Sequence, residues 1–265
     1  MKIVQTSKKR LLQMHFESGV GHIGGNLSCL DLMLTLFHEI MNSDDTFILS
    51  KGHSAGALYI ALWSKGAVSD QDLKTFHKDG TKLSGHPSPN HLPEIPFATG
   101  SLGHGLSLAN GIALGKRFQS KPGRVYCLLS DGEWQEGSNW EALLFARHHN
   151  LDVTLLIDMN GLQGFGSTKE IASQESLLAP FLGLGIEAVQ VDGHDLSSLL
   201  SELEDEKHGL KTIIAKTRKG NGVSFMENQM DWHYRPMKEA EYALAIQEIE
   251  RLNEFLTPTD GRQSL

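Results

Sequence analysis

The sequence predicts an α/β fold, a parallel sheet with helices on both faces, and three observations lead there. Residues 124–129 (RVYCLL) and 153–158 (VTLLID) are apolar runs of strand length, with a helix-length segment over 138–149 between them. Strand, helix and strand in so short a stretch form a βαβ unit, which needs parallel strands and a right-handed crossover. A second unit follows, with strands at 186–191 and 212–216 and a helix over 196–207. The runs at 124–129 and 153–158 are continuous, the pattern of buried strands.

The remaining elements follow in chain order. The start, MKIVQTSKKRLLQMHF, is basic and lacks a signal-peptide h-region; nowhere do about 18 apolar residues run together. A cytoplasmic protein without a membrane span is expected. Ser28 followed by Asp31 resembles a capping box with Asp in place of Glu or Gln. Leu30, Met33, Leu34, Phe37 and Met41 recur at helical spacing, predicting an amphipathic helix over 28–41. FILS at 47–50 predicts a short strand, and a helix over 54–65 ends at Gly66. Residues 78–101, rich in Gly, Pro and His, predict a long loop. A helix over 102–117 carries small residues suited to close packing. A helical tail is expected over 237–256. No repeat, low-complexity tract or linker interrupts the chain, so 1–265 reads as one domain.

Composition narrows the function classes. The 265 residues are 40% hydrophobic and 21% charged, ordinary for a soluble globular protein. Net charge is -8, and basic residues cluster only at Lys8, Lys9, Arg10 and in KTRKG at 216–220. Nucleic-acid binding, which requires many phosphates to be neutralised, is not expected. A small phosphorylated ligand needs only a helix N-terminus and a cation. Cys29 and Cys127 sit in apolar runs and read as packed free thiols. Among 13 histidines, His22, His53, His86, His104 and His194 each adjoin glycine, where backbone can turn tightly and approach a ligand.

Ligands of parallel sheets sit outside the carboxyl ends of the strands. After Leu129 comes SDGEWQEG (130–137), and after Ile157 comes DMNGLQG (158–164). Asp131 offers a carboxylate, Asn160 an amide oxygen, and the turn at 160–162 a backbone carbonyl. These are hard oxygen ligands, suited to Mg2+ or Ca2+ in a shell completed by phosphate and water. An acidic strand end followed by glycine also occurs without function. No GxxxxGK[ST] loop is present, and GSLGHG at 100–105 does not fit a dinucleotide fingerprint.

Together the segments SDGEWQEGSNWEA and MNGLQGFG resemble the thiamine diphosphate motif of the transketolase family. GVGHIGGNLS (19–28), LSKGHSAGALYIAL (49–62), LSGHPSP (83–89), FATGSLGHGLSLANGIAL (97–114), DGHD (192–195) and KTRKGNGVSFMENQMDWHY (216–234) match family segments in the family's order. The resemblance implies the thiamine diphosphate-binding fold, diphosphate type, and two cofactors: thiamine diphosphate and Mg2+, for which Ca2+ or Mn2+ can substitute. It implies metal ligation by Asp131, Asn160 and the carbonyl of Leu162. Gly132 would let the backbone approach the diphosphate, with His53, His233, Gly100, Leu102 and Glu133 also near the cofactor. His22 and His86, with His233, would face the reacting sugar and act as catalytic groups, a task that suits imidazole near neutral pH. Glu136 would face a neighbouring subunit.

The family's complete enzymes carry a second thiamine-binding domain and a C-terminal domain, and nothing resembling either follows here. The resemblance therefore implies a split transketolase: a second polypeptide supplies the pyrimidine and C-terminal domains, in an α2β2 assembly, and this chain alone does not turn over. The reaction would move a two-carbon ketol unit from a phosphorylated or modified ketose to an aldehyde. Ser130, Gly164-Phe165 and Tyr234 depart from the family pattern near the cofactor and substrate path. Two other readings compete: the α-type subunit of a 2-oxo acid dehydrogenase or acyl-transferring synthase, and a non-catalytic interaction subunit. GHP at 85–87 and His22 favour sugars over the first. The retained Asp131, Asn160 and four histidines weigh against the second.

Overall fold

The computed structural model describes residues 2–89, 92–204 and 207–254. The basic stretch at the start forms helix α1 (Lys2–Ser18), which the periodicity argument does not anticipate. Leu11, Leu12 and Met14 are buried, and so is Lys8, paired with Asp31, while Lys2 and Glu17 face out. Helix α2 (Ile23–Thr35) continues into a π turn at Leu36–Ile40. It starts five residues before the expected cap and is buried all round, not amphipathic. Ser28 and Asp31 are core polar residues here; their side chains bond Asp158 and Lys8, so the apparent capping box is not a helix start.

Strand β1 (Thr46–Leu49) leads through a 3-10 turn at Gly52–Ser54 into α3 (Ala55–Ser64), and a one-turn α4 (Asp70–Leu73) follows. As expected, the long loop holds no helix or strand among its described residues. Helix α5 (Gly105–Phe118) begins three residues later than predicted, because Gly100 and Gly103 take φ of 137° and 82° and keep 100–104 in a turn.

The predicted βαβ core is present: β2 (Val125–Ser130), α6 (Gly137–His148) and β3 (Val153–Met159). An unanticipated hairpin follows, β4 (Leu162–Gln163) and β5 (Gly166–Ser167), with short helices α7 (Thr168–Ala172) and α8 (Leu178–Gly183) after it. The second unit comprises β6 (Ala188–Asp192), α9 (Leu196–Leu203) and β7 (Lys211–Lys216). The expected tail appears as α10 (Glu239–Glu254); residues 255 and 256 of that expectation lie outside the described residues, as do 205 and 206 of the expected helix over 196–207.

The main sheet has the order β1-β2-β3-β7-β6, and every pair is parallel. Neighbouring residues along each strand serve opposite faces. Leu128, Leu156 and Ile213 pack against α1, α2, α3, α9 and α10. Cys127, Leu155 and Ile214 pack against α5, α6 and α8. Right-handed crossovers explain the division: β2 to β3 advances across the sheet and β6 to β7 returns, so α6 and α9 fall on opposite faces. Both cysteines are buried and unpaired, as expected. No helix among the described residues is long and apolar enough to cross a membrane.

Candidate active site

The carboxyl ends of β2 and β3 carry the predicted acidic pair of segments, and the sheet brings them side by side. Ser130 lies in register with Asp158, and the Asp131 amide bonds the Asp158 carbonyl at 3.2 Å. Asp131 is buried; its carboxylate accepts bonds from the amides of Gly132 at 2.7 Å and Gly161 at 2.5 Å. Burial, and then the charge of Asp158, push its pKa up to about 6. A buried acid so poised gains from a compensating cation. Asn160 holds its amide oxygen 3.0 Å from the Leu162 amide, and its nitrogen 3.3 Å from Asp158. One carboxylate, one amide oxygen and one main-chain carbonyl fit a hard cation that keeps positions for water and phosphate oxygens. Asp131, Asn160, Leu162, Leu102, Gly132 and His53 line a single cleft of about 210 Å3.

A histidine cluster adjoins this floor. The ring of His22 lies 5.3 Å from His233, 5.7 Å from His53 and 6.4 Å from His86, and His53 lies 5.6 Å from His233. Four of the predicted site residues thus converge, His22 and His86 from loops and His53 and His233 from 3-10 turns (Gly52–Ser54 and Met230–His233). His22 is held with φ of 65°, unusual for a side chain of this size, by its amide bonding the His233 carbonyl at 3.1 Å. Burial lowers the pKa of His22 to about 4 and of His233 to about 3, with His86 and Lys219 respectively adding to the effect. His53 and His86 are lowered by burial too. The imidazoles are therefore neutral near pH 7, each with one N–H donor and one acceptor nitrogen.

Two lysines and an aspartate complete the site without having been singled out from sequence. The Nζ of Lys219 stands 2.7 Å from Nδ1 of His233, and its pKa falls to about 8 through burial and then the charge of Lys51. Lys51 and Asp158 form a fully buried ion pair, and Asp158 also accepts from Ser28 at 2.6 Å and from Thr217. Lys51 lies just past the end of β1 in the LSKGH segment, a position the strand-end rule could have flagged.

The other expected residues take distinct places. Gly100 packs against both His86 and Gly52; a Cβ at Gly52 would stand 2.7 Å from the Gly100 nitrogen. Gly52→Ala is accordingly expected to lower stability by about 1–3 kcal/mol through forced backbone movement; a denaturant midpoint equal to that of the parent would refute the contact. Glu133 turns its carboxylate inward, bonding Ser50, the Gly103 amide at 2.9 Å and the Ser130 amide at 3.2 Å. It braces the turns on either side of the cleft. Glu136 is exposed at the N-terminal edge of α6. His104 is exposed on the turn before α5. His194 lies outside the cluster, bonded to Asp31 at 2.8 Å.

The family model described as the transketolase, thiamine diphosphate binding domain matches residues 4–260. The chain belongs to the transketolase family. It is 33% identical to one of the subunits of the apulose-4-phosphate transketolase of Phocaeicola vulgatus, over 97% of this chain and 96% of that one. It is 34% identical to the 6-deoxy-6-sulfo-D-fructose transketolase subunit SqwG of a Clostridium species, over 92% and 94%. Human transketolase is 37% identical over 90% of this chain, which spans 40% of that protein. The crystal structure of Campylobacter jejuni transketolase superposes with a TM-score of 0.84 at 27% identity, covering 94% of this chain and 43% of that one. This transketolase chain thus matches separate transketolase subunits nearly end to end and the longer transketolases over about two fifths of their length. It is a subunit of a transketolase-type transferase built on the thiamine diphosphate-binding fold.

Proposed function

We propose that this chain is the diphosphate- and Mg2+-holding subunit of a two-chain cytoplasmic transketolase, with the pyrimidine and C-terminal domains on its partner in an α2β2 assembly. The observation that carries the reading is the convergence, in one cleft, of the oxygen donors Asp131, Asn160 and Leu162 with neutral His53, beside which His233 stands at 5.6 Å. The donor ketose would be a sugar with a phosphate or other anionic substituent, in line with the names of the related subunits.

Bound thiamine diphosphate supplies the carbanion chemistry that cleaves and re-forms the ketose. The chain's own residues do the rest. Asp131, Asn160 and the Leu162 carbonyl would hold Mg2+, with the cofactor's phosphate oxygens completing its shell. Lys219 brings positive charge to the cleft wall and fixes His233 through Nδ1, with Nε2 on the side of Gly164 in that wall. His22 and His86 would donate hydrogen bonds to sugar hydroxyls and pass protons as the carbonyl and hydroxyl exchange. The partner would close the cleft and exclude water.

The purified chain alone is expected to show no ketol transfer, and adding the partner chain with Mg2+ and thiamine diphosphate to restore it. Calorimetric titration of the cofactor should give tight, Mg2+-dependent binding only when both chains are present. Full turnover by a rigorously partner-free preparation would overturn the two-chain reading. Failure of the paired chains to bind the cofactor would overturn the assignment of the site.

A further inference from the structure

We infer that Tyr234 is a specificity-determining residue that limits the size of the group admitted between the histidine cluster and the β4–β5 hairpin, an inference that rests on the reading of the cleft above. The residue is rooted at its backbone. A Cβ at Gly21 would collide with the Tyr234 carbonyl oxygen, so the two turns touch along their main chains. The neighbouring bond from the His22 amide to the His233 carbonyl, 3.1 Å, ties them again. From that root the phenol ring crosses the cleft's edge, 4.5 Å from the His233 ring and 6.0 Å from that of His22, steeply inclined to both.

At its far end the hydroxyl meets the hairpin. A Cβ at Gly164 would stand 2.5 Å from Oη of Tyr234, so only glycine leaves the notch that receives the phenol. Phe165, next in the hairpin, is 91% exposed and lines the same cleft. Tyr234 is itself 59% exposed, too open for its ring to serve mainly as core packing. What the ring does is occupy volume between the catalytic histidines and the hairpin. A ligand group reaching past His22 and His233 toward solvent on that side must share the space with it. Bulk, not the hydroxyl, sets the limit.

The test uses the complete complex, this chain with its partner chain, Mg2+ and thiamine diphosphate. Donors of increasing length are compared: hydroxypyruvate, fructose 6-phosphate and sedoheptulose 7-phosphate. Tyr234→Gly is expected to raise kcat/KM for the longer donors relative to hydroxypyruvate by about tenfold or more, the scale on which a pocket discriminates by size. Tyr234→Phe should keep the parent's ratio. Gly164→Ala should displace the phenol and shift the ratio in the parent, yet have no effect on it in the Tyr234→Gly background. An unchanged ratio in Tyr234→Gly, or an equal effect of Gly164→Ala in both backgrounds, overturns the inference. A complex that transfers no ketol unit from any donor overturns the functional reading itself, and this inference with it.

Discussion

Asp131→Asn is expected to weaken Mg2+-dependent binding of thiamine diphosphate by on the order of a hundredfold or more, while the metal-free chain becomes no less stable. The two effects have one cause. Asp131 is fully buried, and burial with the nearby Asp158 raises its pKa from 3.8 to about 6. The folded state therefore binds this proton more tightly than the unfolded state does. Its contribution to stability falls as pH rises from the unfolded value through the folded one, and above both the ionised carboxylate costs about 3 kcal/mol. A cation removes that cost when it binds, which couples the acid's discomfort to metal affinity. Asn carries no charge and has no such cost, though it gives up one of the two amide bonds from Gly132 and Gly161. Melting the metal-free proteins at pH 5 and pH 8 should show the parent losing stability relative to the variant as pH rises; the lowered histidines favour the fold at the higher pH in both proteins and cancel in the difference. An Asn variant that bound the cofactor like the parent would remove Asp131 from the metal site.

Lys51→Met, one strand end away, is expected to have the opposite character: destabilisation of about 3–5 kcal/mol, the scale for breaking a buried ion pair on one side. Burial opposes the charge on Lys51, and Asp158 overrides it and raises the lysine's pKa. Burial likewise opposes ionisation of Asp158, and Lys51 with its hydrogen bonds holds the carboxyl below the usual carboxylate range. A depressed acid stabilises the fold above its unfolded pKa and loses that contribution as pH falls through the folded value. With Lys51 gone, Asp158 keeps only Ser28, Thr217 and Asn160 as donors from side chains. The acid should then titrate upward, so mild acidification should narrow the stability gap between variant and parent, the cost of the lowered histidines being common to both. A second change, Asp158→Asn, should recover part of the loss at neutral pH. Denaturant unfolding at pH 5 and 7.5 measures both, and a Lys51→Met chain as stable as the parent would show the pair to be dispensable.

These two acids show what sequence can and cannot disclose here. The strands β2, β3 and β7 were legible because buried strands read as largely apolar runs; the edge strand β6, half-exposed, was placed by the alternation of strand and helix, and the ends of all four moved by at most two residues. From the order of strand and loop, Asp131 and Asn160 could be placed at neighbouring carboxyl ends. Adjacency to glycine flagged His22, His53 and His86 among others, but their grouping with His233 came from the resemblance of their segments, since no local period relates the four. Lys51 and Asp158 lie 107 residues apart and Asp31 and Asn221 lie 190 apart. Such pairings leave no mark on local pattern. Ser28 and Asp31 misled for the same reason: as single letters before an apolar run they imitate a helix cap, and only the tertiary partners show them to be core groups. The β4–β5 hairpin escaped because each strand has only two residues.

The strand order β1-β2-β3-β7-β6 also bears on how the polypeptide is made. The last strand of the sheet to be synthesised, Lys211–Lys216, is not added at the border but inserted between β3 and β6. Until the ribosome has released it, the VTLLIDM strand has a bare hydrogen-bonding edge beside apolar side chains, and β6 has no partner at all. Edges of this kind recruit foreign strands. The newborn chain thus passes through a sticky interval that ends only when β7 slots home, and long-range parallel pairing is slow to close. Slow translation or high expression should favour inclusion bodies over loss of activity, and chaperones that shield strand edges should help yield more than cofactor does.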